Sequence, residues 1–221
     1  MEQAADLPEL LYIFDPLCTW CYGMGTVVQQ AQQQFAGQVT VAVLCGGMIT
    51  GDEVGPIGQS WGFLRNALPQ VEQVTGAQFG DAFRQLGEAG QQIMNSEPPS
   101  RAIAVFRQLD ATEKRTAQFA RDVQTALFRD GHDLNDPATY SPLLASYGLD
   151  ADKFLAMWAA PALVQAVQQE FATAGRLGIQ GFPTSVLRVG NAGYVLARGF
   201  QPYPTFADGL TQALQQAQEE E

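Results

Sequence analysis

The sequence predicts a mixed α/β domain with helices on both faces of its sheet, interrupted after the second strand by an all-helical insertion. Three observations lead there: a strand, helix, strand start, a long central stretch without strand signals, and a helix, strand, strand, helix finish. Residues 10–14 and 39–44 are apolar, rich in β-branched side chains and bounded by turn or breaker residues, as buried parallel strands are. Between them Met24, Val27, Val28, Ala31 and Phe35 recur at helical spacing, and Gly37 follows as a stop. From residue 51 to about 161 helical stripes take over, among them Ala102, Val105, Phe106 and Leu109, then Phe119, Val123 and Leu127. Pro98-Pro99 precede one of these helices. Thr112 is a cap candidate for the next, Asp130-Gly131 follow it, and Asp150 precedes an apolar run from Phe154 to Trp158. Leu163, Val167, Phe171, Ala174 and Leu177 mark a further helix ended by Gly178. Residues 185–189 and 194–197 read as strands joined by Gly190-Asn191-Ala192-Gly193, and Phe206, Leu210, Leu214 and Ala217 form a closing amphipathic helix. Residues 1–50 and 162–221 are thus expected to build the α/β unit and 51–161 the insertion.

A chain of 221 residues with 46% apolar content can bury a substantial core. Its 12 basic and 23 acidic residues give a net charge of -11, which repels phosphate backbones and anionic lipid surfaces. Nucleic acid and membrane partners are therefore not expected. Glu219, Glu220 and Glu221 read as a solvated tail. Residues 1–10 carry no basic leader region, and the apolar stretch after them is broken by Asp15 and Pro16, so a cytoplasmic protein is expected. Three cysteines in a reducing compartment argue against a disulfide framework and for a catalytic or metal-binding pair.

That pair is Cys18 and Cys21, placed where the first strand gives way to a helix. Thiol-disulfide exchange needs a thiolate, and a helix N-terminus favours one with unpaired N–H groups and partial positive charge. Without the insertion, the element order is that of the thioredoxin fold, in which a cysteine pair after the first strand meets a Gly-x-Pro segment, here Gly181-Phe182-Pro183-Thr184.

Asp15-Pro16-Leu17-Cys18-Thr19-Trp20-Cys21-Tyr22-Gly23 resembles the Asp-x-x-Cys-Pro-Trp-Cys-Tyr signature of the DsbA-like thioredoxin family, closest to its cytosolic FrnE-type branch. The insertion, the 181–184 loop and the 128–134 segment Phe-Arg-Asp-Gly-His-Asp-Leu extend the likeness over nearly the whole chain. The resemblance implies that Cys18 is the nucleophile, Cys21 the buried resolving thiol and Pro183 a cis-proline facing them, leaving Phe182 backbone groups to pair with an extended substrate. The cysteine nearer the helix start also has more unpaired N–H groups and more solvent access, so it is expected to be the more acidic. Thr19 departs from the family's proline, and Trp20 supplies no cationic imidazole, so a couple less oxidising than the periplasmic members is expected. No prosthetic group is implied. Protein thiols and disulfides are the expected substrates, with glutathione a candidate redox partner.

Other readings compete. Zinc needs four ligands, and beyond the pair only Cys45 and His132 are soft donors. Cys45, at the end of the second strand, is either an auxiliary thiol or a small buried hydrophobe. Asp15 is either a proton relay to Cys21 or the turn-former that an Asp before Pro usually is. His132 reads as a surface residue. Trp20, Tyr22, Met24, Met48 and Trp61 either edge an apolar peptide groove or pack, with Met24 and Trp61 assigned to the core and Trp20 to the surface. A kappa-type glutathione transferase or chromene carboxylate isomerase shares the architecture but generally has Ser at the Cys18 position, and a non-catalytic peptide-binding adaptor is the third class.

Overall fold

The computed structural model describes residues 7–110 and 115–219. The Thr112 cap candidate and the Glu220 and Glu221 end of the tail lie outside the described residues. The chain opens with β1 (Glu9–Phe14), α1 (Thr19–Gln34) and β2 (Thr40–Cys45), the two strands parallel with Phe14 opposite Cys45. The insertion follows as β3 (Gly55–Pro56), α2 (Gly58–Thr75), α3 (Asp81–Ala89), β4 (Ile93–Met94), α4 (Glu97–Leu109), α5 (Thr116–Phe128), α6 (Tyr140–Ala145) and α7 (Ala151–Trp158). The chain closes with α8 (Pro161–Arg176), β5 (Thr184–Val189), β6 (Ala192–Arg198) and α9 (Tyr203–Glu219). The main sheet runs β2-β1-β5-β6, with β5 antiparallel to both neighbours. This is a thioredoxin-like sheet carrying a helical insertion.

Two departures from the sequence reading have simple causes. The insertion holds a short antiparallel ladder, Gly55 with Met94 and Pro56 with Ile93, where no strand was expected. Strands of two residues leave no period to read. The final hairpin turns on Gly190 and Asn191 alone, because Val189 already pairs with Ala192, and Gly190 takes the positive φ of 55° that such a tight turn needs.

Strand alternation in β1 sends Leu10, Tyr12 and Phe14 to one face and Leu11 and Ile13 to the other. The first set is buried with Met24, Val27 and Val28 of α1, and Phe206 and Leu210 of α9 join the same core. Each fully buried Phe or Leu there contributes roughly 1.5–3 kcal/mol relative to exposure. Insertion and sheet share this core rather than forming two. Tyr22 of α1 lies 5.7 Å from Phe79 and 5.2 Å from Phe128, ring centre to ring centre, and Phe83 lies 5.1 Å from Phe128. Close approach of α1 to α2 requires Gly23, since a β-carbon there would fall 2.5 Å from the Thr75 side chain.

Candidate active site

Cys18 is the N-cap residue of α1 and Cys21 lies in its first turn, so the sequence places both sulfurs at the helix start. The Cys18 thiol serves as the cap: its Sγ accepts from the Cys21 N–H at 3.4 Å and lies 3.7 Å from the Phe182 carbonyl oxygen, to which it donates. Residues 164 apart in the chain thus meet across the cysteine pair. All three cysteines are free thiols.

The Phe182–Pro183 peptide is cis. Pro183 accepts at its carbonyl from the Gly199 N–H at 2.7 Å, and the Thr184 hydroxyl donates to the Gly181 carbonyl at 2.9 Å, which ties the loop to the sheet and to itself. The half-buried Phe182 ring lies over the Gly46 backbone. From this loop a groove of about 950 Å³ runs along the sheet over Leu11, Val186 and Val195, and its lining includes Phe182 but neither Cys18 nor Cys21.

Below the cysteines Asp15 is fully buried. One carboxylate oxygen accepts from the Leu17 N–H at 2.9 Å and the Ser96 hydroxyl at 2.9 Å, the other from the Met48 N–H at 2.7 Å. Ser96 in turn accepts from the Ile49 N–H at 3.0 Å, and Gln124 of α5 donates to the Asp15 carbonyl at 3.2 Å. The insertion therefore holds the active-site turn from beneath. Burial raises the Asp15 carboxyl above its ordinary value despite the opposing pull of these donors. Arg121 of α5 braces the next turn, donating to the Tyr22 carbonyl at 2.7 Å.

Cys21 is wholly buried, and that burial, followed by the hydrogen bond and charge of the Cys18 sulfur, pushes its thiol well above the ordinary range. The Asp15 backbone is its next neighbour. Cys45 is equally enclosed, on the sheet face that carries Phe14. Burial first and Glu170 second raise its thiol. Its N–H donates to Glu170, which also pairs with Arg107 at 2.7 Å.

Thr19 is buried, Trp20 is half-buried against the core rather than on the surface, and Met48 is exposed. Met24 and Trp61 are core residues, Tyr22 is buried in the aromatic cluster rather than at a groove edge, and His132 is exposed. Sequence reading passed over four residues that shape the site: Ser96, Gln124, Arg121 and Tyr12, whose hydroxyl donates to the Cys21 carbonyl at 2.9 Å. Only Tyr12 left a trace in the sequence, as a phenol inside an otherwise apolar strand.

A thioredoxin-like domain with a cysteine pair at a helix start, facing a cis-proline loop, defines a class of thiol-disulfide proteins. The chain belongs to the DSBA-like thioredoxin domain family, whose match covers residues 10–211. Among solved structures it is similar to a putative protein disulfide isomerase from Nitrosomonas europaea, at 23% identity and a TM-score of 0.82 over 96% of this chain and 99% of that one. It is also similar to the cytosolic disulfide reductase DsbM from Pseudomonas aeruginosa with GSH, at 28% identity and a TM-score of 0.71 over 93% and 98%. A 2-hydroxychromene-2-carboxylate isomerase matches at 16% identity and a TM-score of 0.63 over 96% and 99%. No curated protein sequence matches the chain. Among the described residues no helix is long and apolar enough to cross a membrane.

Proposed function

We propose that the chain is a cytoplasmic thiol-disulfide oxidoreductase of the FrnE-type branch, acting on protein disulfides and exchanging electrons with glutathione. The observation that carries this reading is Cys18 as an N-cap thiol between the Cys21 N–H and the Phe182 carbonyl. The Cys18 thiolate attacks a substrate disulfide. One substrate sulfur leaves as a thiolate and the other stays joined to Cys18. Cys21 then gives its proton to Asp15, attacks the Cys18 sulfur and displaces the second substrate thiolate. The cysteine pair loses two electrons and the substrate disulfide gains them. Phe182 and Thr184 supply backbone positions beside which an extended substrate segment aligns. Cys45 serves as a packing residue, in keeping with its enclosure. Similarity to DsbM with GSH supports glutathione as the small-molecule partner.

Trapping tests the reading directly. In cell extracts Cys21→Ser should accumulate covalent mixed disulfides with proteins, and Cys18→Ser should not. Equal, negligible capture by both variants would overturn it. Likeness to the chromene carboxylate isomerase favours a second reading, glutathione-dependent chemistry without exchange. Saturable glutathione binding with turnover retained in Cys18→Ser would establish that instead.

A further inference from the structure

We propose that Tyr12 is a positioning residue for the resolving step, its phenol donating to the Cys21 sulfur as that thiolate attacks the mixed disulfide. The inference rests on the exchange reading above. Tyr12 lies in β1, its ring stacked on Phe14 at 5.1 Å between centres and 14° between planes, and it is 3% exposed. Stacking and burial leave the hydroxyl one direction, into the first turn of α1, where it donates to the Cys21 carbonyl at 2.9 Å. The sulfur of that same residue, with the Cys18 sulfur beyond it, is the group whose charge the phenol feels.

A phenol has one proton to donate, and which acceptor takes it depends on charge. With Cys21 a neutral thiol, the carbonyl is the better acceptor. Once Cys21 is a thiolate, a charge-assisted hydrogen bond from the phenol to sulfur is about twice as strong as a neutral one. The carbonyl it leaves belongs to a helix and keeps its place in the helical hydrogen-bond pattern. Burial keeps the phenol protonated, its ionisation pushed well above the ordinary range, so it faces the new thiolate as a donor and not as a second anion. Asp15 and Tyr12 then divide the work on Cys21: one accepts its proton, the other stabilises what remains. In that step the Cys21–Cys18 bond forms, the bond from Cys18 to substrate breaks, and the electron pair leaves on the substrate sulfur.

The reduced full-length protein, mixed with a nitrobenzoate disulfide, reports both steps, because attack by Cys18 and displacement by Cys21 each release one coloured thiolate. In Tyr12→Phe the first release should stay within about twofold of the parent, and the second should slow roughly tenfold, the loss expected for one hydrogen bond to a charged group. A second release at the parent rate overturns the Tyr12 inference and leaves the exchange reading intact. A parent protein that yields no second release overturns the exchange reading itself. If Tyr12→Phe does not fold, a ring-fluorinated tyrosine placed at residue 12 keeps the shape and strengthens the donor. The second release should then quicken while the first is unchanged, and an unchanged second release again refutes the proposal.

Discussion

Gly46 and Phe182 are in direct contact, so that a β-carbon on residue 46 would fall 2.0 Å from the Phe182 ring. The end of β2 thereby sets the height of the loop that faces Cys18. Gly46→Ala should shift that loop and cost about 1–3 kcal/mol, the range for overpacking a filled site. In a Phe182→Ala background the same change should cost under about 0.5 kcal/mol, as expected once the two positions no longer touch. Denaturant midpoints of the four proteins measure the coupling, and additive losses would refute it.

Asp15→Asn keeps the shape of the side chain but places an amide among three groups that donate to the carboxylate. A cost of about 1–3 kcal/mol at neutral pH is expected from leaving a buried donor without its acceptor. The pH dependence has a definite sign. Burial raises the folded-state carboxyl above its unfolded value, so the folded protein holds that proton more firmly. The associated stability is fully present below the ordinary carboxylate range and is lost as pH rises through the raised folded value. The stability gap between parent and Asp15→Asn should therefore be widest in acid and narrow towards neutral pH. A gap that widens with pH would contradict this.

All three cysteines are buried, but Cys18 keeps 6% exposure against 0% for Cys21 and 1% for Cys45, and burial raises the ionisation of the latter two. Brief iodoacetamide treatment of the native reduced protein at neutral pH should label residue 18 alone, with the other two labelled only after unfolding. Peptide mass spectrometry decides it. Cys45→Ala should retain at least half of the exchange rate in the same protein.

Trp20→His should make the couple more oxidising. An imidazolium between the cysteines stabilises the reduced thiolate state, and a tenfold gain in that equilibrium corresponds to roughly 30 mV. Equilibration with glutathione buffers measures the shift. A potential unchanged or lowered would show that the half-buried Trp20 site does not let the new ring reach the sulfur.

Most of the sheet is legible in the sequence, because β1, β2, β5 and β6 carry dense apolar runs and the helices between them keep a clean 3.6 period. The cysteine pair and the 181–184 loop were readable for a different reason: rare residues at short spacing. What could not be read was the cage around them. Ser96 and Gln124 are ordinary polar residues in helical stretches, 81 and 109 positions from Asp15, and only the fold brings them to it. Tyr12 counted merely as one more apolar strand residue. Trp20 is half-buried where exposure is expected, because helix phase says which side chains share a face, not how deeply a neighbouring segment covers that face.

The bond from Ser96 to Asp15 has an evolutionary corollary. A recombination event that exchanged residues 51–161 for a cousin's helices would strip a donor from a fully buried carboxylate, and would do so directly beneath the reactive sulfurs. Such a hybrid should inherit altered electron-transfer behaviour along with its new helices, so the insertion and the cysteine turn are expected to travel together through descent.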